Sequence, residues 1–80
     1  MNIYHVSADT CSEWDYYTDA VVIAENETEA ALMHPDGGKS IVGTDGREWP
    51  NDQALVRVRL LGRALDGAIK EVVCANYVLS

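Results

Sequence analysis

The stretch that most constrains the fold is residues 20–35, AVVIAENETEAALMHP, because a run typical of a strand gives way at once to a helix-start signal. Residues 20–25, AVVIAE, are typical of a strand buried on both faces, and we expect them to form the central strand of a sheet. Asn26 is a favourable N-cap, and Glu29 stands three positions later, as in a capping box. The sequence therefore predicts a buried strand followed directly by a capped helix.

The predicted helix is short. It spans Thr28 to His34, about two turns, because Pro35 disfavours helical geometry at the residue before it. A helix of this length does not persist alone in water, so it must pack on a sheet. We expect its packing face to comprise Ala30, Ala31 and either Met33 or His34.

Three further segments have strand character. Residues 2–7, NIYHVS, alternate and are rich in β-branched and aromatic types, and residues 54–64 and 71–79 alternate in the same way. If Asp66 and Gly67 form a two-residue turn, the last two strands form a hairpin in which Leu60 lies opposite Val73. A longer loop over residues 64–70 would leave this register open.

These elements predict an α+β fold for a single domain of residues 1–80. The economical arrangement is a four-stranded, mostly antiparallel sheet with one short helix on one face, in the order ββαββ. Residues 35–53 contain four glycines and two prolines and are predicted to form a long irregular loop, of the kind that tends to be functional or mobile. We expect Trp49 to anchor this loop on the body of the protein.

The charge of the chain is unevenly distributed. The net charge is −7, with residues 1–52 contributing −9 and residues 53–80 contributing +2. A one-signed surface of this kind can direct association with oppositely charged partners, and it argues against direct binding to nucleic acid or to an anionic membrane. Acidity of this degree also serves solubility alone. With no basic, apolar leader and no long apolar segment, the expected location is the cytoplasm.

No residue pattern predicts catalysis, a metal site or a cofactor. Cys11 with His5 or His34 could form a nucleophilic pair, but their spacing implies no third orienting group. His34 and Asp36 fall short of the three or four ligands of a metal site. The two cysteines lack CxxC spacing, a disulfide is disfavoured, and Cys74 is expected to be a small buried hydrophobic residue.

Acidic and aromatic residues alternate in residues 11–20, CSEWDYYTDA. Exposed aromatics supply much of the energy at binding hot spots, and carboxylates beside them favour a partner rich in arginine and lysine. Trp14, Tyr16 or Tyr17 could instead fold back to complete a small core that contains no phenylalanine, and both alternatives remain open. The predicted partner-binding residues are Glu13, Trp14, Asp15, Tyr16, Asp19, Glu27, Glu29, Asp45 and Glu48.

The segments MNIYHVS, YTDAVVIAENETEAALMHP and VRVRLLGRA with VVCANYV resemble a group of short phage-encoded proteins, and the chain looks like the small anti-CRISPR inhibitors, including those of type I systems. The resemblance covers most of the chain except residues 35–53. It implies a non-enzymatic inhibitor that binds a CRISPR surveillance complex in the host cytoplasm and stops it engaging target DNA.

The charge pattern leads independently to a basic protein partner. A surveillance complex holds DNA in positively charged channels, and a compact acidic surface can occupy such a channel as a DNA mimic. The expected state is a monomer or weak dimer. The alternative is a small structural or regulatory phage module that forms homo- or hetero-oligomers through a sheet edge or through the face that carries Arg57 and Arg59.

Overall fold

Four strands, one short helix and one 3-10 turn follow one another along the chain in a computed structural model that describes residues 1–9 and 15–79. The strands are β1 (Asn2–Ser7), β2 (Tyr16–Ala24), β3 (Arg57–Arg63) and β4 (Glu71–Val78). The helix α1 spans Glu27–Ala31, and the 3-10 turn spans Gln53–Leu55. The fold is α+β with a four-stranded antiparallel sheet and one short helix, as predicted.

The strand order in the sheet is β3-β1-β2-β4, and every neighbouring pair is antiparallel. The predicted hairpin of the last two strands is therefore wrong, because β3 and β4 occupy opposite edges. Leu60 pairs with Tyr4 of β1 rather than with Val73. Crossing three strand spacings requires about 14 Å, which a two-residue turn cannot span and the seven residues 64–70 can.

The core lies on one face of the sheet, which we call the covered face. Alternation along β1 and β2 directs Tyr4, Val6, Val22 and their neighbours into it. The helix and the long loop pack on the covered face and complete the core. The buried apolar cluster consists of Tyr4, Val6, Ala8, Ala20, Val22, Ala24, Ala30, Met33, Ile41 and Trp49.

The helix begins with the predicted Asn26 N-cap, and Glu29 closes a variant of the predicted capping box one residue earlier, at Glu25. The Asn26 side chain accepts a hydrogen bond from the Glu29 backbone N–H at 2.8 Å, and the Glu29 carboxylate accepts one from the Glu25 N–H at 3.1 Å. The helix is shorter than expected and ends before Leu32. Its packing prediction is confirmed, because Ala30, Ala31, Met33 and His34 are all buried.

Residues 35–53 form part of the core. Ile41 and Trp49 are fully buried, which confirms Trp49 as the anchor of the loop. The chain folds back on the helix through hydrogen bonds from Ile41 N–H to Leu32 O and from His34 N–H to Lys39 O, at 3.0 and 2.7 Å. Ser40 forms an isolated bridge with Met33. The long loop therefore acts as a second layer over the sheet.

The opposite face of the sheet, which we call the open face, has no helix packed on it in the described part of the chain. Strand alternation places His5, Val21 and Cys74 there in one cross-strand row. Cys74 is exposed, so the expectation that it is buried is wrong. Cys74 lies on an edge strand, where no third strand shields it.

Candidate protein-binding site

A pocket of about 250 Å³ lies where the long loop meets the beginning of β2 and the end of β4. It is lined by Asp15, Asp45, Arg47, Glu48 and Tyr77. Three carboxylates and one guanidinium leave two net negative charges around it. We call these five residues the acidic pocket. Three of them, Asp15, Asp45 and Glu48, are predicted partner-binding residues.

The loop side of the acidic pocket is held by local hydrogen bonds. The Asp45 carboxylate accepts a bond from the Arg47 backbone N–H at 3.0 Å. Gly46, between them, has a φ of 76°, a conformation that residues with a Cβ rarely adopt. Asn51 closes the turn by donating from its side chain to Thr44 O at 3.0 Å. The carboxylate of Asp45 is thus presented from an ordered turn.

Glu48 is held in place by two contacts: the buried side chain of the next residue, Trp49, and a backbone hydrogen bond from Tyr17. Trp49, the next residue, is fully buried and fixes the loop on the core. The Glu48 backbone carbonyl accepts a hydrogen bond from Tyr17 N–H at 2.9 Å, which ties the long loop to the first residues of β2. Asp15 stands two residues before Tyr17, so the same contact brings Asp15 and Glu48 to one place.

Two tyrosine rings contact each other at the acidic pocket, which Tyr77 lines. The rings of Tyr17 and Tyr77 lie 4.6 Å apart between centroids and are tilted by 57°. Tyr17 also meets His34 edge to face at 5.9 Å. Since Tyr17 packs against the buried cluster, it is a core aromatic, and Tyr77 is the aromatic residue that lines the acidic pocket. Tyr16 is half-buried and pairs with Val78.

Desolvation and nearby carboxylates raise the pKa values of both tyrosines. Partial desolvation first, and then the carboxylates of Asp15 and Glu48 with a hydrogen bond to Glu48, raise the pKa of the exposed Tyr77 to about 12. Burial first, and then the charges of Asp36 and Glu48, raise the pKa of Tyr17. Both phenols therefore stay protonated and can act as hydrogen-bond donors at neutral pH.

The pocket is suited to an organic cation. Within residues 1–9 and 15–79, no group of three or more histidine, cysteine, aspartate or glutamate side chains is arranged to hold a metal ion. Carboxylates spread around a pocket beside an aromatic ring match a guanidinium or ammonium group, which donates hydrogen bonds to several oxygens and lies against a ring face.

Four predicted residues do not line the acidic pocket: Tyr16, Asp19, Glu27 and Glu29. Strand alternation places Asp19 on the open face, where its carboxylate is 2.9 Å from His5 Nε2. The hydrogen bond with His5, followed by one from Thr18, lowers the Asp19 pKa. Glu27 and Glu29 follow the far end of β2, a strand about 30 Å long, and Glu29 is engaged in the capping box.

Glu13 and Trp14 lie outside the residues that the structure describes, and so does Cys11. Tyr77 and Arg47 are pocket residues that the sequence reasoning missed. Tyr77 could not be found from the sequence because its position depends on β4 pairing with β2 rather than with β3. Arg47 was identifiable only through its place between Asp45 and Glu48.

A larger groove of about 490 Å³ lies between the helix and the start of β4. Its polar side chains include Asn26 and Glu29, whose oxygens accept hydrogen bonds from the backbone N–H groups of Glu29 and Glu25. Glu29 is the one carboxylate that lines this groove and Lys70 lines it too, so the acidic pocket with its three carboxylates is the stronger candidate for binding a cationic side chain.

Both histidines have partners that explain their positions. His34 is buried, and its Nδ1 accepts a hydrogen bond from the Asp36 N–H at 2.9 Å. Burial, and secondarily the charge of Lys39, lowers the His34 pKa. His5 is held by Asp19. Along the described ranges, no helix has the length and apolar character needed to cross a bilayer.

Comparisons with protein-family models, with curated proteins and with solved structures found no match for this chain. The likeness to anti-CRISPR inhibitors remains a prediction from the residues quoted above.

Proposed function

We propose that the protein is a non-enzymatic phage anti-defence protein that binds a CRISPR surveillance complex through its acidic pocket and blocks the binding of target DNA. The observation that carries the proposal is the convergence of Asp15 with Asp45 and Glu48, which come from segments thirty residues apart in the chain. The sequence resemblance supplies the class of partner.

The mechanism is competition for cationic side chains. Arginine and lysine residues that line a DNA channel neutralise phosphates, and their charge favours any compact anionic surface of suitable shape. An arginine entering the acidic pocket gains carboxylate partners and an aromatic ring. It is then unavailable to DNA. Because both competitors act through charge, the affinity should fall as ionic strength rises.

The test compares two double variants with the same change in net charge. Asp15→Lys with Glu48→Lys reverses two pocket charges, whereas Glu25→Lys with Asp66→Lys reverses two exposed charges elsewhere. The measurement is affinity for a purified type I surveillance complex, by biolayer interferometry at several salt concentrations. We expect the pocket variant to lose about 100-fold or more, since breaking a desolvated charge pair is costly.

The control variant should bind within a few-fold of the unmodified protein. Equal losses in both variants would mean that only total charge matters, and an unaffected pocket variant would remove the acidic pocket from the interface. Displacement of bound protein by target DNA, followed in the same assay, checks the competitive mechanism.

A structural or regulatory module that acts through oligomerisation is the second candidate. What favours it is the exposed apolar surface of the segment between β3 and β4, where Leu65 is 88% and Ile69 is 65% exposed. Large exposed apolar patches commonly mark protein contacts. Sedimentation velocity separates the two candidates, because a tight dimer weakened by Leu65→Ser and Ile69→Ser would favour this second function.

A further inference from the structure

The two edges of the sheet differ in charge. The β3 edge carries Arg57, Arg59 and Arg63 among its seven residues. The β4 edge carries only Glu71 among its eight, and residues 72–78, VVCANYV, have no charge and no proline. Charged side chains on an edge strand resist pairing with other strands, whereas an uncharged edge leaves its hydrogen-bonding groups available. Of the two edges, β4 is the receptive one.

The outer side of β4 is open along the part that approaches the acidic pocket. Apart from its ladder with β2, no backbone hydrogen bond among the described residues involves Glu71–Val78. The register shift opposite Val21 and Val22 places one extra residue, Val73, near the start of the strand. From Cys74 to Tyr77 β4 itself has no extra residue, and the second register shift places its extra residue, Thr18, on β2. Residues 74–77 are exposed.

The acidic pocket lies at the end of this open edge, because Tyr77 belongs to both. On an antiparallel strand added outside β4, the residue opposite Tyr77 would have its Cβ about 5 Å from that of Tyr77. A lysine or arginine at that position could reach the carboxylates of Asp15 and Glu48, which line the pocket with Tyr77. An acidic residue there would meet like charges.

We propose that the open edge of β4 pairs with an extended segment of the partner protein, and that this segment carries a lysine or arginine opposite Tyr77. The proposal rests on the proposed function, in which the acidic pocket receives a cationic side chain. Main-chain hydrogen bonds along β4 supply affinity, and the cation supplies selectivity. A second copy of the chain fits less well. Its β4 contains no lysine or arginine to place opposite Tyr77, and the three arginines of its β3 edge resist strand pairing.

The test uses an eight-residue peptide that alternates threonine and valine and carries one central lysine. Alternate amides are N-methylated, so that the peptide offers one hydrogen-bonding edge and cannot stack on itself. A matched peptide carries glutamate in place of lysine. We expect the lysine peptide to bind at least about tenfold more tightly in a fluorescence polarisation assay, since one ionic partner changes from attractive to repulsive.

Amide hydrogen exchange locates the peptide. The expected result is slower exchange at β4 residues 74–78 with no change at β3. Protection at β3, equal binding of the two peptides or no binding of either would overturn the proposal. Slow amide exchange at β4 in the free protein, together with a dimer in sedimentation, would also overturn the proposal, because a second copy would then occupy the edge.

Two proline variants provide the matched control. Adjacent strand residues point their N–H groups in opposite directions, so one of Ala75→Pro and Asn76→Pro removes an outward donor and the other removes a ladder bond to β2. The variant that keeps the thermal stability of the parent is the edge-blocked one, and it should lose peptide binding.

Failure of this proposal is distinguishable from failure of the proposed function. If the peptide binds β4 but no surveillance complex binds the protein, the edge is a strand acceptor and the partner is wrong. If the complex binds through Asp15 and Glu48 while β4 stays unprotected and the peptide does not bind, the acidic pocket functions without strand pairing.

Discussion

The two long connections of this small fold have opposite relations to the core. Residues 35–53 have the composition of a flexible loop, yet they bury Ile41 and Trp49 completely. Residues 64–70 are rich in apolar side chains, yet Leu65 and Ile69 are largely exposed. Composition alone therefore does not separate a structural connection from an exposed one. What decides is whether the path of the chain crosses a face of the sheet or passes around its end.

This difference has a consequence for function. The connection that crosses the covered face is fixed by buried anchors, and it carries Asp45 and Glu48 into the acidic pocket. The connection at the end of the sheet needs only to span from edge to edge. A binding site built on the first is preorganised, which reduces the ordering cost when a partner binds.

The largest expected contrast is between two isoleucines. Ile41→Ala should destabilise the protein by about 2–5 kcal/mol, because it leaves a cavity under the long loop. Ile69→Ala, in the exposed connection, should change stability by less than about 0.5 kcal/mol. Urea denaturation of both variants measures the difference. Equal effects would mean that the two connections do not differ in packing.

Two glycines test the same contrast on a smaller scale. Gly38 and Gly67 both have positive φ, 80° and 86°, so replacement by alanine should cost each about 1–2 kcal/mol. At Gly38 an added Cβ would also meet Met33 Cε at 3.4 Å, whereas at Gly67 nothing lies within 4 Å. Because 3.4 Å is an ordinary van der Waals distance, neither alanine meets a clash, and the two variants should lose similar stability. A clearly larger loss at Gly38 in thermal melts would show that the long loop cannot accept an added methyl group.

Protonation of His34, the residue before the long loop, should make the stability of the protein depend on pH. His34 is buried, and its lowered pKa means that the folded state binds its proton less readily than the unfolded state. The contribution of His34 to the free energy of unfolding should be fully present above pH 6.5. It should decrease as the pH falls from there and His34 becomes protonated. Protonation of Nδ1 also removes the acceptor for the Asp36 N–H.

The check is urea denaturation between pH 7.5 and pH 5 for the unmodified protein and for His34→Gln. The variant should show a smaller loss of stability across that range. An identical slope in both proteins would assign the pH dependence to other groups.

Local signals predicted much of this fold correctly. The β1 strand, the Asn26 cap with Glu29 and the anchoring by Trp49 follow from short-range patterns, and the structure agrees with each. The hairpin prediction failed because Asp66 and Gly67 are turn-forming residues in either arrangement. They favour a turn when the flanking strands are neighbours, and equally when the strands lie at opposite edges of the sheet. The order of strands depends on which faces must be buried together, which is a property of the whole chain.

The acidic pocket could be predicted only in part for the same reason. Asp15 could be chosen from its place among the aromatics of residues 11–20, but Asp19 belongs to the same cluster and lies on the open face. Strand alternation separates residues that are close in sequence. Tyr77 joins Asp15 through strand pairing between β4 and β2, which no local pattern encodes.

The most direct test of the account is a hydrogen-exchange footprint of the protein bound to a purified surveillance complex. We expect slower exchange at residues 45–48, at the beginning of β2 and along β4, with residues 64–70 unchanged. Protection confined to residues 64–70, with the acidic pocket exchanging as in the free protein, would contradict it and would make the exposed apolar connection the binding surface.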